Sequence, residues 1–268
     1  MKSKTLSLAI IIFLFFSGCK SRKFLNKVFA PPSPHEKYAD ALVTAGLDQS
    51  ALGMDWLYLA KRSLADSLII DLPYVESGYF ASTKANVVSY IFKPGPGRKI
   101  IITWEYIADK PLKIFGDVFE IAQGKNPSLL ISASIEKNQI EFESEDNIKY
   151  LIRLQPELLR SCNYTLKITT EPVLSFPVKG KNNRDIGSYW GAARDGGSRK
   201  HEGIDIMAPR RTPAIAASDG IISNVGDNRL GGKIVFLYDH KRNFNLYYAH
   251  LDSQLVGTGK RVKRGDTI

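Results

Sequence analysis

His201 and Asp205 stand four residues apart in the stretch RKHEGIDIMAPRRTP, residues 199–213. An imidazole nitrogen and a carboxylate oxygen suit zinc, which binds both donor types at about 2.0–2.2 Å. A His-Glu-x-x-His zinc motif needs a helix, so that two imidazoles four apart share one face. Here the fifth residue is Asp205, Gly203, Ile204 and Ile206 are poor helix formers, and Pro209 follows closely. The stretch therefore predicts a strand. On a strand, His201, Gly203 and Asp205 point one way, and Glu202, Ile204 and Ile206 point the other. The isoleucines would pack into a core while imidazole and carboxylate converge across a glycine. That is half of a tetrahedral zinc site. A hydrogen-bonded His–Asp pair bracing a strand is the reading these five residues leave open beside it.

Further on, NFNLYYAHLD (243–252) reads as another strand. Strict alternation would put Leu246, Tyr248 and His250 on one face, with a phenol beside an imidazole that can act as base or as hydrogen-bond donor to a developing oxyanion. His240 falls in the turn DHKRN and is expected at the surface.

The elements that must position these residues follow from the rest of the chain. Its 268 residues, 44% hydrophobic, suffice for one large domain or two modest ones and argue against disorder. The chain opens with two lysines and an apolar run of 11 residues, Leu6–Phe16. That is short of the roughly 20 a bilayer-spanning helix needs, so residues 1–18 read as a secretory signal and the chain as exported. Ser17 and Gly18 before Cys19 resemble the bacterial lipobox, with Phe16 where leucine is usual. The resemblance implies cleavage, acylation of Cys19, and a membrane-anchored lipoprotein facing the periplasm or cell envelope. Cys162, the other cysteine, is then without a disulfide partner and is expected to be a small buried apolar residue.

Residues 19–35 are basic and then rich in proline, and read as an extended tether with His35 exposed to solvent. From 36 to 71 apolar residues recur every three or four positions, and Gly46 followed by Asp48 and Ser50 divides the segment into two helices. Residues 72–172 carry seven short β-branched and aromatic runs between turn signals such as PGPG, 94–97. They predict an all-β sandwich. The rhythm of YLIRLQPELLRSCNYTLKI is similar to the jelly-roll domains that accompany secreted bacterial peptidases. No ligand-type cluster appears there. Pro172 and Pro177 mark a boundary.

The formal charge is +10, and from 176 to 268 there are 16 basic against 9 acidic residues, a net of +7. In an exported chain this excess points to anionic wall polymers and lipid headgroups rather than nucleic acid.

The segment GSYWGAARDGGSRKHEGIDIMAPRRTPAIAASDGIISNVG, followed by YYAHLD and GKRVKRGDTI, resembles the lysostaphin-type or LytM-like zinc endopeptidases that cut peptide bonds in peptidoglycan. The resemblance spans residues 176–268. It implies that His201 and Asp205 bind zinc (Zn2+), that His250 is catalytic and that Tyr248 lines the site. The substrate would be peptidoglycan peptides, with the chain held at a membrane by its lipid anchor. The family's remaining zinc ligand, in a later His-x-His strand, does not occur before Ile268. The expected class is thus mainly β: a short N-terminal helical segment, a jelly-roll-like all-β sandwich, and an incomplete C-terminal antiparallel β-sheet peptidase domain. With two ligands the 268 residues would bind zinc weakly, as the front part of a longer enzyme. The alternatives are a non-catalytic LytM-like lipoprotein that activates other wall hydrolases, and a peptidoglycan-binding lipoprotein whose sandwich is the working part.

Overall fold

The computed structural model describes residues 31–145 and 147–268. The expected signal segment 1–18, the acylated Cys19 and the tether up to residue 30 lie outside them.

Two helices come first. Helix α1 (Pro34–Thr44) begins with a capping box: Ser33 Oγ accepts from the Glu36 amide at 3.1 Å, and Glu36 Oε2 accepts from the Ser33 amide at 2.7 Å. Pro34 occupies the first turn, where its missing N–H has no intrahelical partner to lose. Helix α2 (Ala51–Arg62) is capped by Ser50, as its sequence predicts, after Gly46 turns the chain at φ 70°.

Nine strands follow: β1 (Leu68–Ile69), β2 (Tyr74–Phe80), β3 (Val88–Phe92), β4 (Arg98–Ile107), β5 (Ile114–Ile121), β6 (Ser128–Ser132), β7 (Gln139–Glu143), β8 (Lys149–Pro156) and β9 (Cys162–Pro172). One sheet runs β1-β3-β8-β5-β6 and the other β2-β9-β4-β7. With the short parallel β1 set aside, each sheet has four strands and the pair has jelly-roll order. Alternate residues of both sheets fill the space between them, including Ile100, Ile102 and Trp104 of β4, Tyr150 and Ile152 of β8, and Leu166 of β9. Cys162 is buried in this core, as expected, and burial pushes its thiol pKa up.

Strand β8 is buried on both faces, since Leu151, Arg153 and Gln155 on its outer side are 0%, 7% and 0% exposed. The helices cover them. Trp56 Nε1 donates to the Pro156 carbonyl at 2.8 Å, Gln155 Nε2 to the Trp56 carbonyl at 2.9 Å, and Arg153 Nη1 to the Ala60 carbonyl at 3.0 Å. The charge of Arg153 is met by Asp117 of β5, 2.6 Å away.

This cover corrects the expectation for His35. It is 5% exposed, stacked on Trp56 with ring centroids 4.6 Å apart, and its Nε2 is 2.7 Å from Gln155 Oε1. The three prolines mark a helix start there rather than the end of a tether.

The last part of the chain holds β10 (Ile186–Ser188), β11 (Ala193–Arg194), β12 (Arg199–Lys200), β13 (Asp205–Ile206), β14 (Gly220–Asn228), β15 (Gly232–Asp239), β16 (Phe244–Leu251) and β17 (Arg261–Val262). Four of them form an antiparallel sheet in the order β16-β15-β14-β17, and two ribbons, β10-β13 and β11-β12, carry the residues before it. Ala216, Ile222, Val235, Leu237, Tyr248 and Ile268 are among the residues of its core. The sandwich meets this part through Glu143, whose carboxylate accepts from Arg242 Nε and Nη2, each at 2.8 Å, and from Lys241 Nζ at 2.6 Å.

Candidate metal centre

The stretch 199–206 is not one strand. Strand β12 ends at Lys200, residues 201–204 are irregular, and β13 begins at Asp205. Two ribbons hold its ends. The β11-β12 hairpin turns through Asp195, Gly196 and Gly197, all at positive φ, where glycine costs least. Arg199 Nε and Ser198 Oγ both donate to Asp195 and brace the turn. The hairpin continues into His201, whose amide donates to the Ala192 carbonyl at 2.8 Å while its carbonyl accepts from the Gly191 amide at 2.7 Å. Asp205 pairs across β10 with Ser188, and the Met207 amide donates to the Asp185 carbonyl at 2.8 Å. The backbone of each proposed ligand is therefore tied to a neighbouring segment.

The side chains converge despite the break. His201 Nε2 lies 3.3 Å from Asp205 Oδ1. Two ligands on one tetrahedral zinc at about 2.05 Å are separated by about 3.3 Å, so the spacing matches one edge of such a site. A Cβ at Gly203 would lie 3.6 Å from His201 Nε2, an ordinary van der Waals contact, so the approach of the two side chains does not require a glycine between them. The isoleucines differ from expectation. Ile204 is 44% exposed and Ile206 half-buried, because residues 201–204 leave the strand and no alternation is maintained.

Arg194, which its residue type did not single out, completes the cluster. Its Nη2 donates to Asp205 Oδ2, contacts His201 Nδ1 at 3.1 Å and Ser188 Oγ at 3.0 Å. Ser188 Oγ is itself 3.3 Å from His201 Nδ1. The only sequence signal was an arginine on a glycine-turned hairpin seven residues before the histidine. Next to Ser188 in the chain, Tyr189 and Trp190 are 60% and 71% exposed.

Strand β16 places its two residues differently. Tyr248 is 8% exposed within the sheet's core, and its hydroxyl accepts from the Ala217 amide at 2.8 Å. Burial pushes this phenol's pKa up. His250 is exposed, has φ 58°, and donates its amide to the Gly231 carbonyl at 2.6 Å. Tyr248 pairs with Val235 and Leu251 with Lys233, so Ala249 and His250 together oppose Ile234 alone. This bulge interrupts the alternation that would have put His250 on the face of Tyr248. His240 is exposed, as expected of a turn residue.

As a metal centre, the cluster offers one nitrogen and one oxygen at zinc-ligand spacing. Among the described residues no group of three or more His, Cys, Asp or Glu side chains comes together to hold a metal. The pair fits zinc as two of its ligands.

Comparison with known proteins shows what this region is similar to. Residues 199–268 match the sequence model of Peptidase family M23. A Vibrio cholerae protein named peptidoglycan DD-endopeptidase ShyC is 40% identical over 70 residues, 26% of this chain and 16% of its own length. An Escherichia coli protein named uncharacterized lipoprotein YgeR is 40% identical over 74 residues, 28% of each chain. A Haemophilus influenzae protein named uncharacterized metalloprotease is 34% identical over 176 residues, 66% of this chain and 33% of its own. The chain thus spans between about a sixth and a third of the length of these curated relatives. The M23 match contains His201, Asp205, Tyr248 and His250, whereas Arg194 and the whole sandwich lie outside it.

Proposed function

We propose that this chain belongs to a zinc-dependent endopeptidase of the cell envelope that hydrolyses peptide bonds in peptidoglycan. The observation that carries the reading is the 3.3 Å approach of His201 Nε2 to Asp205 Oδ1 within the segment that matches the M23 family. His201 and Asp205 are two metal ligands in this reading. Zinc bound there supplies a Lewis acid for the scissile carbonyl and lowers the pKa of a bound water. The exposed His250 takes or gives a proton as the peptide bond is cut. The half-buried Ser188 and Arg194 hold the ligands, and the exposed Tyr189 and Trp190 beside Ser188 in the chain offer apolar surface to a peptide.

Full activity needs a third protein ligand, which these 268 residues do not bring to the pair among the described positions. The relatives named for wall chemistry and for a lipoprotein support an envelope location, and the lipobox-like Ser17-Gly18-Cys19 supports anchoring through Cys19. The basic surface of residues 176–268 favours residence near anionic wall material, an attraction that added salt weakens.

The test is zinc content together with release of peptide fragments from purified peptidoglycan, for the native protein and for His201→Ala. The reading expects the substitution to abolish both. Fragment release that survives in His201→Ala would remove His201 from the metal site.

A further inference from the structure

A guanidinium in a surface ion pair with one carboxylate contributes little. Arg194 is placed differently. One nitrogen, Nη2, meets three separate segments: it donates to Ser188 Oγ of β10 and to Asp205 Oδ2 of β13, and it lies 3.1 Å from His201 Nδ1 just beyond β12. Its choice of atoms is selective. It takes Asp205 Oδ2 and lies against His201 Nδ1, and the two atoms left facing each other are Asp205 Oδ1 and His201 Nε2.

From this we infer that Arg194 is a positioning residue for the metal ligands. The inference rests on the zinc reading given above. A free carboxylate can rotate to present either oxygen, or both, to a cation. Holding Oδ2 on a guanidinium leaves Oδ1 to act alone and fixes the direction of its lone pairs. The imidazole is set by the same hairpin. A metal on Nε2 requires the ring proton on Nδ1, and Ser188 Oγ, 3.3 Å away, then accepts it while Arg194 remains on Asp205. Arg194 and Ser188 together form the outer support of a site whose inner edge is Nε2 and Oδ1.

A second effect opposes this one, because a guanidinium close to a dication also repels it. The measured sign tells which effect governs. Removing an outer support of a metal ligand commonly weakens affinity by about 10- to 100-fold, and that is the loss expected for Arg194→Ala.

The experiment measures the zinc dissociation constant of the 268-residue protein by competition with a chromophoric chelator. It compares wild type, Arg194→Ala, Arg194→Lys and His201→Ala, and records the visible spectrum of each with cobalt(II) alone. Arg194→Ala should bind zinc at least about 10-fold more weakly and show a changed cobalt spectrum, since Asp205 is freed to offer both oxygens. Arg194→Lys, which keeps a cationic donor, should fall between it and wild type. Unchanged or tighter zinc binding in Arg194→Ala would overturn the inference. If wild type binds no more tightly than His201→Ala, the zinc reading itself fails and the inference fails with it. The metal-free unfolding temperature of each variant separates ligand positioning from a fold that has simply been weakened: a lowered temperature in Arg194→Ala with wild-type affinity would make Arg194 structural only.

Discussion

Asp117→Ala should be among the most destabilising single changes in the sandwich. Its carboxylate is 1% exposed and accepts from Arg153 Nη2 at 2.6 Å and from Ser132 Oγ at 2.5 Å. Arg153 is 7% exposed, bonds the Ala60 carbonyl of α2, and lies 5.1 Å above the Phe119 ring, while its Nε has no hydrogen-bond partner. Removing Asp117 therefore strands a buried cation under the helical cover, and breaking such a pair costs about 3–5 kcal/mol. For a body of this size that lowers the unfolding temperature by about 6–20 °C, at about 2–4 °C per kcal/mol. Asp117→Ala/Arg153→Met removes both charges and fills the space with an apolar side chain, so it should recover most of the loss. Calorimetry and chemical unfolding of wild type, Asp117→Ala, Arg153→Met and the double variant give the answer. A cost below about 1 kcal/mol for Asp117→Ala, or a double variant no more stable than the single one, would refute the view that the buried pair fastens the helices to the sheet.

Three further outcomes follow from the same structure. Burial, helped by the nearby Arg153, lowers the pKa of His35 below its ordinary 6.5. The unfolded chain then protonates first, so the stability tied to neutral His35 is complete above about pH 6.5 and is lost as the pH falls through the lower folded value; unfolding free energies measured across that range should lose this slope in His35→Gln, and equal slopes would count against it. Tyr248→Phe leaves the buried Ala217 amide without its acceptor and should cost about 1–3 kcal/mol with zinc affinity unchanged; weakened zinc binding at full stability would instead place Tyr248 at the site. Trp190→Ala, at a residue 71% exposed, should alter stability by less than about 0.5 kcal/mol yet reduce retention on purified peptidoglycan about fivefold or more. Unchanged retention would remove Trp190 from substrate binding.

The jelly roll was readable in the sequence because strands β3 to β9 alternate or carry dense β-branched runs, and breakers such as Gly95 and Gly97 separate them. The start of α2 was equally readable, since Ser50 is a local cap whose partner, Gly53, is three residues away. His35 was not, because its burial is decided by Gln155, 120 residues later, and by Trp56. Among the candidate residues, the approach of His201 to Asp205 was legible from their spacing, even though residues 201–204 are irregular and not the strand expected there. The direction of His250 was not, since a single added residue opposite Ile234 undoes strict alternation. Arg194 was hidden for a different reason. An arginine near glycines reads as a solvated surface charge, and only the folding of β10, β11 and β13 against one another brings Ser188, His201 and Asp205 around it.

The most direct test is a crystal structure of the protein grown with zinc, with anomalous difference maps collected on both sides of the zinc absorption edge. The account predicts one strong zinc peak bonded to both His201 Nε2 and Asp205 Oδ1, at about 2.0–2.2 Å from each, and no such peak in His201→Ala. A wild-type map with no peak there, or with zinc held elsewhere while His201 and Asp205 stay bonded only to each other and to Arg194, would contradict it.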